Sequence, residues 1–168
     1  IVFKNFQTWQ ITGDPAASAP LPLGLNYLSL TVGCSAPRSI AQSPLGTYFA
    51  SFAGPYIIDQ LGILRPHSHK LGELEPDIQA PYQNATTPSR IAAGYTGTIY
   101  RASMETTLLG VTATNDYWFD EHRRRWNGPH TFRYDCVSQF LNYFILCSNS
   151  APAKLFKSEV EPGVSTVY

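Results

Sequence analysis

Charged side chains are scarce in this chain. Asp, Glu, Lys and Arg make up only 14% of its 168 residues, against about a quarter in ordinary globular domains. Twelve basic residues balance twelve acidic ones, so no net field draws the chain to nucleic acid or anionic lipid. Cysteine is equally scarce, and its count of three is odd. One thiol must be left over, which argues against a disulfide-built secreted scaffold and permits at most one bridge within the chain. There is a single methionine, Met104, and the sequence begins at Ile1 without a basic segment and a short apolar run. It reads as a processed chain, organellar (mitochondrial) or secreted. Long apolar runs are missing too. The greasiest stretch, from Pro44 to Leu64, contains Pro55 and Asp59, which exclude a membrane span.

Recognisable catalytic motifs are also lacking. There is no G-x-S-x-G elbow and no phosphate-binding G-x-x-x-x-G-K-[ST] loop. Glu73/Glu75 and Asp120/Glu121 sit in ordinary charged surroundings and receive no acid–base role. The sequence is rich instead in rings, with ten Tyr, nine Phe and three Trp, and in proline, with thirteen. Many rings and few charges leave sticky surface of the kind that meets other proteins.

Residues 1–12 and 25–34 read as strands, joined by a Pro- and Gly-rich connector at 13–24. Ser43 and Pro44 then give cap-and-first-turn chemistry, and Leu45, Tyr48, Phe49 and Phe52 recur at helical spacing, predicting a helix that stops at Gly54–Pro55. Residues 65–92 carry turn and connector residues. Residues 96–114 return to β-type composition, read as two strands joined near Ser103–Glu105. Within 115–128, Asn115 serves as a cap, acids precede bases, and Asp120–Arg124 and Glu121–Arg125 are helical ion pairs, predicting a second helix. The third spans 135–147, where Val137, Phe140, Leu141, Phe144 and Ile145 fit the helical template. On that helix Cys136 and Cys147 would stand about 16 Å apart along the axis, out of bridging range. The tail from 148 to 168 reads as extended. The expected fold is therefore α+β: short strands, about three amphipathic helices and long Pro-rich connectors, with a body at 1–147 and a C-terminal tail at 148–168.

One stretch carries ligand chemistry. In "RPHSHKLGELE", His67 and His69 are two residues apart, so on a strand both imidazoles point to one side, and Glu73 follows four residues later. The stretch resembles the first metal-binding motif of the cupin family, and "NGPHTF" around His130 is similar to the second. The resemblance implies His67, His69, Glu73 and His130 as ligands to one divalent transition metal in a β-barrel oxygenase, isomerase or binding protein. The bland alternative is a pair of exposed turn histidines beside Pro66. Pro76 and Pro81 bar a central strand immediately after the motif. Asn84 begins a glycosylation sequon, "NATT", which would suit a secreted glycan- or protein-binding module. Arg123–Arg125 beside Trp126 could contact phosphates, but acids at i−4 favour a salt-bridged surface.

The reading that accommodates most of these features is a non-catalytic structural or interaction subunit of a larger assembly, without a cofactor. Phe49, Phe52, Trp118, Trp126, Phe140 and Phe144 are its expected anchors on helix faces. Its expected partners are other protein subunits, membrane complexes included, with no nucleic acid and no transmembrane helix of its own.

Overall fold

A computed structural model describes residues 1–13, 23–67, 75–141, 143–148, 154–159 and 165–167. Every strand pairing in it is antiparallel. The first sheet joins β1 (Val2–Phe3), β2 (Thr8–Thr12) and β3 (Gly24–Ser29). The second is a meander of β4 (Ala36–Ser43), β5 (Gly46–Ser51), β6 (Gly54–Asp59) and β7 (Leu64–Pro66). A short helix, α1 (Pro76–Gln83), and a 3₁₀ turn at Pro88–Arg90 lead into the third sheet. That sheet is the meander of β8 (Ala92–Thr96), β9 (Ile99–Leu108), β10 (Val111–Asp120) and β11 (Arg125–His130). The fourth is formed by β12 (Cys136–Phe140), β13 (Tyr143–Ser148), β14 (Lys154–Glu159) and β15 (Ser165–Val167). Among the described residues no helix is long and apolar enough to cross a membrane.

The sheets stack as layers, and the period-2 alternation of their strands shows how. The second and third sheets face each other. Tyr48, Ala50 and Ile57 from one meet Ala93, Tyr100, Ala102, Met104, Tyr117, Phe119 and Trp126 from the other in the main core. β4 lies alongside β8. At the opposite side the Trp126 indole donates to the His67 carbonyl oxygen at 3.0 Å. Ile78 and Tyr82 of α1 complete this core. The residues in between point outward and are covered in turn. Phe49, Tyr56 and Ile58 on the back of the second sheet pack under Phe3, Leu28 and Val32 of the first sheet and its flanks. Ala92 and Ile99 on the back of the third sheet pack under Tyr134, Val137, Phe144, Leu146 and Phe156. The contact is close at Gly94, where an added Cβ would sit 2.9 Å from a methyl of Val137.

The α+β expectation is thus corrected: the described residues are mostly β-sheet, in four antiparallel sheets with one α-helix. None of the three expected helices forms, and each is replaced by a hairpin. Ser43 does accept the Leu45 N–H, at 3.0 Å, but in the turn between β4 and β5. Gly46 follows with φ of 149° and would place a Cβ 2.1 Å from the Ile58 carbonyl, so the hairpin needs glycine there. Likewise, Asp120 accepts the N–H groups of His122 and Arg123 in the β10–β11 turn. Asp120 is there as a turn residue, and Asp116 pairs with Arg101. In 135–147 the turn falls at Leu141, which has φ of 54°. Cys136 and Cys147, expected to be far apart along a helix, are instead direct cross-strand partners.

The strand expected at 1–12 is split into β1 and β2 by a tight turn closed by the Lys4 N–H on the Gln7 carbonyl at 2.9 Å, and the one expected at 25–34 ends at Ser29. The pair expected at 96–114 is joined at Leu109–Gly110, not near Ser103–Glu105. The connector at 65–92 contains α1, opened by Pro76 at its first turn. Within 148–168, β14 pairs with β13 along its whole length.

Candidate functional site

His67, at the end of β7, is the most unusual polar side chain in the molecule. Its backbone N–H continues the ladder to the Pro55 carbonyl at 2.9 Å, which turns the ring into the main core. There it stacks on Tyr48 at 4.3 Å between centroids and meets the edge of Phe119 at 3.9 Å. Trp126 lies at 5.3 Å and Tyr100 at 5.8 Å. Neither imidazole nitrogen has a hydrogen-bond partner among the described residues. Burial holds its pKa down to about 3, so the ring is neutral wherever the fold is intact. A neutral imidazole can coordinate a metal or take a proton only when another group reaches it, and here it is faced by rings.

On the opposite face of the third sheet lies a buried ion pair. Arg101 of β9 donates to Asp116 Oδ2 through Nε at 2.7 Å and Nη2 at 2.6 Å. The Trp118 indole donates to the same carboxylate, and the Tyr134 hydroxyl donates to Oδ1 at 2.9 Å. The guanidinium lies 4.6 Å from the Trp118 ring centroid and 5.2 Å from that of Phe132. Burial pushes the Asp116 carboxyl up, and Arg101, Trp118 and Tyr134 pull it back. Every acceptor oxygen here is engaged, so this cluster joins layers and offers no free group for chemistry.

The structure places the expected ligands apart. His67 packs against Phe119 and His130 against Trp118, 4.6 Å between centroids. Consecutive residues of a strand point to opposite faces, so the two histidines are separated by the sheet and do not share one point. His69 and Glu73 lie outside the described residues. The bland reading of His67 as an exposed turn histidine is corrected, since it is buried.

The six expected anchors divide. Phe49, Trp126 and Phe144 are buried, one in each core cluster. Trp118 is half-buried over Arg101. Phe52 is at the margin of exposure and stacks on Phe6 at 5.0 Å. Phe140 lies open at the β12–β13 hairpin tip. All of them are on strands or hairpin turns, not on helix faces.

A second apolar surface was not singled out from the sequence. On the outward face of the first sheet, Trp9 pairs with Tyr27 and Ile11 with Leu25. Ile11 is 51% exposed, Leu25 60% and Tyr27 64%. Among the described residues β3 is the edge of its sheet, a position that can accept a further strand. The signal was the alternation Trp9-Gln10-Ile11 and Leu25-Asn26-Tyr27, with apolar residues at the odd positions. The β9–β10 tip, Leu108–Val111, adds more exposed apolar side chains.

Comparison with known proteins returns no matching family model and no matching curated protein.

Proposed function

We propose that the chain is a non-catalytic interaction subunit that docks another protein subunit on the outward face and free edge of its first sheet. The reading rests on one observation: exposed Ile11, Leu25 and Tyr27, with half-buried Trp9 beside them, share the outward face next to β3, which ends its sheet among the described residues. An apolar sheet face with an open edge accepts an extended segment of a partner. Main-chain bonds supply affinity and alternate side chains supply selectivity. Aromatic groups such as Trp9 and Tyr27 are the kind that dominate interface energies. The net charge of zero fits an apolar protein partner better than a polyanion.

The test uses protein from its native source, sized by chromatography with light scattering. The wild-type chain is expected inside a larger assembly. A chain carrying Leu25→Lys and Tyr27→Lys, with an unchanged melting temperature, is expected alone. A wild-type monomer at every concentration, or a double variant that assembles normally, contradicts the reading. If the assembly contains only this chain, the partner is a second copy.

A further inference from the structure

Cys136 and Cys147 face each other as Cα partners at the open end of the β12–β13 hairpin. Such partners lie about 4.5–5.5 Å apart at Cα, inside the range of roughly 4.4–6.8 Å that a disulfide spans. Val137 and Leu146, the next residues inward along the ladder, pack toward the third sheet, so alternation turns both cysteines to the outer face. Cys136 is exposed and Cys147 partly so. The Cys147 thiol is held above its ordinary value by burial and then by the neighbouring Cys136 thiol. Cys34, in contrast, is buried and donates to the Ala36 carbonyl at 3.2 Å. Arg38 and Arg90 line the same pocket as the two cysteines. Arg90 pairs with Asp135 Oδ1 at 2.6 Å, so the acid of the lining is compensated and Arg38 leaves the pocket positive.

We infer that Cys136 and Cys147 form a dithiol–disulfide site that is closed by an anionic low-molecular-weight disulfide. This site is independent of the docking face. The more exposed Cys136, as thiolate, attacks one sulfur of the reagent, whose S–S bond breaks to release one thiolate. Cys147 then loses its proton, attacks the Cys136 sulfur and expels the second thiolate, forming the cross-strand bond. The protein dithiol gives up two electrons and the reagent is reduced to two thiols, which take up the two protons. Arg38 draws the anionic reagent to the pocket. The product ties β12 to β13 at the mouth of the hairpin.

The test treats the folded full chain with oxidised glutathione, then alkylates it in denaturant and digests it with trypsin. Arg133 and Lys154 bracket a peptide, 134–154, that contains both cysteines and no internal Lys or Arg. It is expected lighter by two hydrogens and without alkyl groups, while the Cys34 peptide is alkylated. Chymotryptic cuts between the cysteines should leave two halves joined until reduction. Arg38→Glu should slow closure by glutathione disulfide several-fold and leave closure by uncharged 2-hydroxyethyl disulfide unchanged. Two alkyl groups on the peptide, a persistent glutathione adduct on Cys136, or a bridge to Cys34 would each overturn the site. Equal slowing with both reagents would overturn the role of the arginine pocket.

Discussion

Unfolding frees the His67 imidazole to take a proton at its ordinary pKa of 6.5, whereas the folded chain holds it to about 3. Between those values the unfolded state binds more protons, so stability falls as pH drops through the window and is unaffected above it. At about 1.4 kcal/mol per unit of difference, the loss across the window amounts to a few kcal/mol. His67→Leu, which removes two unpartnered nitrogens from an apolar site, should leave stability at neutral pH equal or higher and flatten the acid limb. Denaturant midpoints measured from pH 4 to 7 decide this, and an acid limb unchanged in the variant refutes it. The six rings expected as anchors also divide here. Phe49→Ala should cost about 3–5 kcal/mol through the cavity it leaves. Phe140→Ala, at an open hairpin tip, should stay within about 0.5 kcal/mol. Similar losses at both positions in urea unfolding would contradict the layered packing.

At the scale of elements, the outer layer formed by β12–β15 depends on the pair beneath it. Asp116→Asn leaves the Arg101 cation buried without its counter-charge, which should cost about 3–5 kcal/mol. The double change Arg101→Met with Asp116→Leu should recover much of that loss. Thermal melts of the three variants check this. A double variant as unstable as the sum of its parts would show that the cluster contributes more than charge compensation. The same elements explain what could be read in advance. Some turn positions were readable, because Ser43 and Gly54 have local chemistry that acts wherever the turn falls; the turn at Leu109–Gly110 was not. The elements between turns were not. In β5, Tyr48 faces the main core and Phe49 faces the first sheet. In β10, Phe119 faces the main core and Trp118 faces Arg101. A strand covered on both faces loses its alternation. A hairpin of two such strands then offers apolar residues at i, i+3, i+4 and i+7 by coincidence. The pairing of Cys136 with Cys147 followed the same course: spacing along one helix kept them apart, and the turn at Leu141 brings them together.

At the scale of the molecule, the four sheets form a stack in which the second and third are covered on both sides. The two outer sheets each keep one face outward. On the first sheet that face is apolar, through Trp9, Ile11, Leu25 and Tyr27. On the fourth sheet it carries the cysteine pair, with exposed Leu155 as the cross-strand partner of Cys147. Of the rings expected to exceed what the chain covers, Phe49, Trp126 and Phe144 are buried in its own core clusters. The metal set is not assembled by the described residues, because His67 and His130 are divided by the third sheet. What the stack leaves to explain is the apolar face on its first layer. Hydroxyl-radical footprinting of the native assembly, compared with the isolated chain, addresses that face most directly. The account predicts strong protection at Trp9, Leu25 and Tyr27 in the assembly with little change at Phe140; equal labelling of the first three in both samples would contradict it.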